Sequence, residues 1–291
     1  MHPEQLSQLW QAYREDKKPS LAPTTYGREY GAILKRIEKM PPGLERGRDY
    51  RAYLLDHYSA ETAKRTLQAI AACTRWAIAE NLIDADPFHG IKIITPRQPV
   101  EFPEAFTAEE MGAIISRFAK DHPYYLPWIQ WLFWTGCRPE EARALSWAKV
   151  AGDWASVRID QAWPLDAAKP QRTKNGRITR FPLSPRLIIL LKSIRPHDAA
   201  PGDWVFRSWT GKSFNYANFE RRQWKPTLEQ LLAEGAIAYY GPQYWTRHTA
   251  VTLMLGAGLS VEDVAYLTRT SRKIIWDHYA AKSRKINVPE F

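Results

Sequence analysis

Two cysteines, Cys73 and Cys137, are all that 291 residues contain. Two thiols build neither a disulfide framework nor a four-thiolate zinc site, so both are read as structural. No His-Glu-x-x-His pair and no Cys/His cluster occurs, which leaves a metal hydrolase without ligands. Long apolar runs are missing as well. None reaches the ~18 residues that a membrane span requires, and the start MHPEQLSQLW lacks the basic-then-apolar pattern of a secretory signal. A cytoplasmic protein with no membrane partner is therefore expected. A glycine-rich phosphate loop is also absent. The sequence GKS at Gly211 to Ser213 would need glycine five residues before Gly211, and Phe206 stands there.

Acid is in short supply. The chain has 41 basic and 31 acidic residues, a net charge of +10. Residues 1–103 carry 15 basic and 13 acidic groups, whereas 104–291 carry 26 and 18, so the excess lies in the second part. Within it, Ala167 to His197 holds eight Lys or Arg and no Asp or Glu. Such a stretch is either a solvated basic face or a surface for a polyanion, where each neutralised phosphate releases counterions.

Length alone favours two domains, each with its own core. In the first part, Thr24 or Thr25 is placed to cap a helix through Met40, with Tyr30, Ile33, Leu34 and Ile37 at helical spacing. A second helical run, ETAKRTLQAIAACTRWAIAENLI, sets Leu67, Ile70, Ala71, Thr74, Ile78 and Leu82 near one face. The stretch KIITPRQPVEFPEA has three prolines and no helical period, which marks a linker. Thr107 and Glu110 then form a capping box. The second part mixes types. AGDWASVRIDQAW alternates like a strand, RTKNGRITRFPL reads as two short strands around Asn175-Gly176, and SPRLIILLKSI is helical. Towards the end, Thr246 is placed to cap a helix that Gly258 closes, and Ser260 and Ser271 to open two more. The expected class is mainly α with a small antiparallel β-sheet (α+β).

Four stretches carry the chemistry: TGCRPEEARALSW (135–147), RTKNGRITRFPL (172–183), YWTRHTAVTLMLGAG (244–258) and TSRKIIWDHYA (270–280). In that order and spacing they resemble the catalytic domain of the tyrosine recombinases, or phage-type integrases. DPFHGIKI before the linker resembles a junction of that family, and the resemblance covers the whole chain. It implies a helical core-binding domain over 1–92, a linker over 93–103 and a catalytic domain over 104–291.

Residue by residue, the resemblance makes Arg138 the first arginine, with Glu141 the acidic residue three positions on. Lys174 matches the hairpin lysine, Arg247 the second arginine and Tyr279 the nucleophile. Two positions depart from the pattern. Tyr244 stands where a histidine usually precedes the second arginine, and Thr270, with Arg269 beside it, stands nine before Tyr279 where histidine or tryptophan is usual. His248 follows the second arginine but is not at a catalytic histidine's position. Arg172, Arg177 and Arg180 of the basic stretch are assigned to DNA.

These residue types suit the implied reaction. Guanidinium forks hold the non-bridging oxygens of a phosphodiester in its pentacoordinate transition state, and an exposed Arg247 at a helix start would do so beside backbone N–H groups. Attack by Tyr279 gives a phosphotyrosine ester that keeps the energy of the broken bond, so neither cofactor nor metal is needed. Lys174 can supply the proton to the departing 5′-oxygen. The implied partners are double-stranded DNA, a homotetramer at synapsis, and host or phage DNA-bending proteins; the implied location is the nucleoid. A DNA-binding protein of the same fold without catalysis and a type IB topoisomerase are the alternatives. With hydroxyls at 244 and 270 instead of imidazoles, cleavage is expected to rise with ionisation of Tyr279 and to show no histidine inflection.

Overall fold

The structure is a computed structural model that describes residues 1–95, 105–173, 176 and 178–280. The chain forms two compact units, Met1–Val100 and Glu101–Phe291. Most of the proline-rich stretch that reads as a linker, together with Lys174 and Arg177, lies outside the described residues.

The first unit is helical. Helix α1 (Pro3–Lys17) starts with proline, whose missing N–H costs nothing in a first turn. The next helical run begins at Pro23 in the same way, passes through a π-helical turn at Thr25–Tyr30 and continues as α2 (Gly31–Glu38). Neither threonine caps it. Thr24 already has helical dihedrals, and the Tyr26 N–H donates to the Ala22 carbonyl, so the helix starts earlier than its hydrophobic period indicates. Helix α3 (Gly47–His57) is held at its start by Asp49, which accepts from the Arg46 N–H. Helix α4 (Ala60–Ala79) is capped by Ser59 Oγ, accepting from the Thr62 N–H. Leu67, Ile70, Ala71 and Thr74 are buried as the spacing predicts. Leu82 is 51% exposed, because the helix ends at Ala79 before reaching it. Leu6 and Trp10 of α1, Ile37 of α2, Tyr50 and Leu54 of α3 and Ile70 of α4 close the core with no exposure.

The second unit is built on α6 (Leu126–Thr135), whose sequence LPWIQWLFWT is apolar on nearly every side and is packed by its neighbours accordingly. Before it lies α5 (Ala108–Asp121), opened by the Thr107–Glu110 capping box. After it come the short α7 (Pro139–Arg143) and four strands: β1 (Ser156–Ile159), β2 (Gln161–Ala162), β3 (Gln171–Arg172) and β4 (Thr179–Pro182). Helices α8 (Pro185–Ile194), α9 (Tyr216–Phe219), α10 (Lys225–Ala233), α11 (Trp245–Gly256), α12 (Val261–Thr268) and α13 (Arg272–Ile275) complete it, with Tyr279 on a π-helical turn, Trp276–Ala280. Helices α5, α8 and α11 pack on α6.

The strands on either side of Asn175-Gly176 do not pair with each other. β1 pairs antiparallel with β4, and β2 with β3, so β3 and β4 lie along one side of a single long hairpin. Arg172 is opposite Gln161 and Thr179 opposite Ile159, so the two pairs are separated by one residue along one side and by six along the other. The Asn-Gly signal therefore does not join two strands that pair with each other. Val157, Ile159, Thr179 and Phe181 point inward, and β4 is fastened to α12 by Thr179 Oγ1 and the Arg180 N–H, which donate to the Tyr266 carbonyl and hydroxyl.

Candidate active site

Gly136 ends α6 in the left-handed region at φ 62°. A side chain there would also bring a Cβ to 3.2 Å from Ala250 Cβ and 3.3 Å from Thr268 Cγ2. Glycine is thus required twice, by the backbone turn and by the approach of α11 and α12. The turn aims the next residues into the site. Arg138 takes an extended conformation as N-cap of α7. Its N–H donates to Glu141 Oε2 and its Nη1 to Oε1, each at 2.9 Å.

Glu141 is 3% exposed and anchors a second guanidinium, Arg269, whose Nη2 donates to Oε2 at 2.8 Å. Burial pushes the carboxyl pKa up, but Arg269 and then Arg138 and Arg247 pull harder, and it falls to about 2. Arg269 adopts φ 55°, a conformation usually left to glycine at a helix end. Its Nη1 donates to the Leu267 carbonyl at 2.7 Å. Its backbone carbonyl accepts from Arg138 Nη1 at 3.5 Å. Arg269 therefore holds the acidic residue and has no surface to offer DNA.

Arg247 is 3% exposed, against the expectation of an exposed arginine. The residue capping α11 is Tyr244, not Thr246, and Arg247 in the first turn points inward. Thr246 Oγ1 instead donates back to the Gln243 carbonyl. Arg247 Nη1 donates to the Gly136 carbonyl at 2.6 Å and Nη2 to the Thr268 carbonyl, so it ties together the ends of α6 and α12. Burial, and then repulsion from Arg138, lowers its pKa to about 10, which leaves it charged at neutral pH. At Arg138, burial opposes the charge, but Glu141 and the Tyr244 oxygen outweigh it and the pKa rises. Two guanidiniums thus bond one buried carboxylate and a third lies within its field, a net positive site able to hold an anion.

The nucleophile candidate lies beside the same helix. Tyr279 packs against Val251, Val264, Ala265 and Ile275. Its hydroxyl is 2.6 Å from His248 Nδ1. The His248 ring also meets the Tyr244 ring edge-on at 5.2 Å. Tyr244 is 42% exposed, whereas Thr270 is 8% exposed, with its N–H bonded to the Ala265 carbonyl. Arg172 and Arg180 are exposed on β3 and β4.

Two contributors escaped the sequence. Arg143 donates to the carbonyls of Trp163 and Pro164 and to Ser213 Oγ, and its guanidinium lies 4.2 Å from the centre of the Trp163 ring. It fixes the chain that follows β2. Glu220 accepts from the Gln243 N–H with both oxygens, at 3.0 and 3.2 Å, and so sets the start of α11. Neither had a local signal, since their partners lie about twenty residues or more away in the chain. Among the described residues there is no cluster of His, Cys, Asp or Glu able to hold a metal ion, and no helix is long and apolar enough to cross a membrane.

The profile of the phage integrase family matches residues 104–285. No curated protein sequence matches the chain. Among solved structures, the chain is similar to the Tn1549 transposon integrase in complex with a circular intermediate DNA, with a TM-score of 0.79 at 14% identity over 94% of this chain and 95% of that one. It is similar to a lambda integrase dimer bound to a COC' core site, with a TM-score of 0.73 at 15% identity over 99% and 100% of the two chains. A lambda integrase tetramer bound to a Holliday junction gives 0.70 at 15% identity over 97% and 79%. At such identities the structures speak for the fold. The family profile spans more than half of the chain, and on that ground this protein belongs to the phage integrase family, the tyrosine recombinases.

Proposed function

We propose that the protein is a site-specific DNA recombinase that cleaves and rejoins strands through a covalent 3′-phosphotyrosine intermediate on Tyr279. The observation that carries this reading is the gathering of Arg138, bonded to the buried Glu141 carboxylate, with Arg247, whose helix also presents His248 to the Tyr279 hydroxyl. A phosphodiester set between the two guanidiniums has its non-bridging charge matched as it develops in the transition state. Tyr279 attacks phosphorus, the bond to the 5′-oxygen breaks, and Lys174 supplies that oxygen with a proton. The ester is then open to the 5′-hydroxyl of another strand. Residues 1–92 and 104–291 act as core-binding and catalytic domains, Arg172, Arg177 and Arg180 contact DNA, and four copies assemble at synapsis.

Covalent capture tests this. A randomised duplex library, nicked so that the short downstream fragment bearing the released 5′-hydroxyl diffuses away, is incubated with the full chain in excess chelator, and protein-linked DNA is recovered under denaturing conditions. The parent is expected to yield an adduct that maps to Tyr279, and Tyr279→Phe none. An adduct of normal yield in Tyr279→Phe moves the nucleophile elsewhere. Specific retention of DNA without any adduct assigns the chain to binding alone.

A further inference from the structure

By residue count the two usual histidine positions hold Tyr244 and Thr270. Yet an imidazole stands at the reacting oxygen. His248 is four residues after Tyr244, on the same face of α11. Its Nδ1 lies 2.6 Å from Tyr279 Oη, and the two rings are 5.5 Å apart at 31°. That distance is within direct proton-transfer range. His248 is partly buried and so is Tyr279, so water screens the contact only in part.

Resting on the assignment of Tyr279 as nucleophile, we propose that His248 is a catalytic residue that takes the phenolic proton as Tyr279 attacks. The neutral imidazole, protonated on Nε2, accepts the Tyr279 O–H at Nδ1. As the bond from Oη to phosphorus forms, the proton passes to Nδ1, and the resulting imidazolium faces the ester oxygen. The 5′-oxygen leaves with its own proton from the general acid. On rejoining, Nδ1–H returns the proton to the departing Tyr279 oxygen, so the enzyme ends each cycle unchanged. A phenol of pKa near 10 is only about 0.1% ionised at pH 7, which is why a base at this atom matters.

The titratable surroundings leave this role to His248. Tyr279 faces it from the final π-helical turn, where Asp277 pairs with Lys273 at 2.9 Å and the His278 ring lies 6.4 Å from that of Tyr279. Tyr244 faces it from α11, while neighbouring Arg247 is directed to the Gly136 and Thr268 carbonyls. On α12, Glu262 pairs with Arg272, Asp263 accepts from Ser260, and Tyr266 serves β4. Helix α6 has no charged side chain, and on α5 Glu110 is taken by Thr107 and Ala238 and Arg117 by Glu234 and Asp121. The expectation of a cleavage profile without a histidine inflection is therefore replaced by its opposite.

Two measurements on the full chain test the proposal. In the first, without DNA, acetylation of Tyr279 by N-acetylimidazole is followed against pH by peptide mass spectrometry in the parent, His248→Asn and His248→Phe. The parent rate should break in the histidine range, and both variants should move that break to the range of a free phenol. In the second, single-turnover cleavage of the captured nicked duplex at pH 7 should fall about a hundredfold in both variants and recover towards the parent near pH 10. Asparagine at 248 keeps an acceptor for the Tyr279 O–H but cannot take the proton, so a parent-like rate and pH profile in His248→Asn overturns the proposal and leaves Tyr279 as nucleophile. An adduct in Tyr279→Phe overturns the assignment beneath it. If no adduct forms with the parent, the acetylation profile decides alone, and a break unchanged between parent and variants defeats the role.

Discussion

Arg269→Ala should be far more damaging than its place at the end of a short helix would indicate. The Arg269 and Glu141 side chains are 1% and 2% exposed. Removing one member of such a pair costs ~3–5 kcal/mol, because the other charge stays buried. Glu141 keeps Arg138, which places the loss near the lower end, ~3 kcal/mol. The carboxyl's pKa leads to a similar size. Lowering it from 4.5 to about 2 corresponds to ~3 kcal/mol of stability. Because the folded value is the depressed one, that stability is complete above pH 4.5 and is lost as pH falls towards 2. Alanine at 269 also inherits φ 55°, which glycine tolerates and alanine does not. Arg269→Gly should therefore recover ~1 kcal/mol relative to Arg269→Ala. In differential scanning calorimetry at pH 7.5, the transition of the catalytic unit should drop by ~6–12 °C in Arg269→Ala. The acid limb of the Tm profile should flatten in Arg269→Ala. A midpoint within 2 °C of the parent, with an unchanged acid limb, would refute a stabilising pair.

Gly136→Ala should lose ~1–3 kcal/mol of stability and also slow cleavage, because the carbonyl that holds Arg247 must shift; retention of both in calorimetry and single-turnover assays would contradict the double requirement. Arg138→Ala and Arg247→Ala should each slow cleavage by about a hundredfold or more. Rates within tenfold of the parent would remove the clamp. Lys174→Ala should be rescued by a substrate whose bridging 5′-oxygen is sulfur, since a thiolate leaves unprotonated. Equal defects on both substrates would give Lys174 a positioning role instead.

Local pattern and spacing were enough for much of this protein. The apolar period of α4, the Thr107 capping box, the serine caps of α12 and α13, and the order of the four boxes are properties of residues within a few positions of each other. Such features depend on backbone geometry that the chain carries wherever it goes. T-G-x-R was legible for the same reason, although its glycine made sense only once Ala250 and Thr268 were seen against it. What tertiary structure decided involves partners distant in sequence. The Asn175-Gly176 turn signal was overruled by pairing of β3 and β4 with β2 and β1, since register is chosen by the whole inward face and not by two turn residues. Arg247 went from an expected surface cation to a buried one because carbonyls from Gly136 and Thr268 satisfy it there. His248, set aside by residue count, reaches the Tyr279 hydroxyl across 31 residues, because packing of the final π-helical turn on α11 and not spacing along the chain sets that distance.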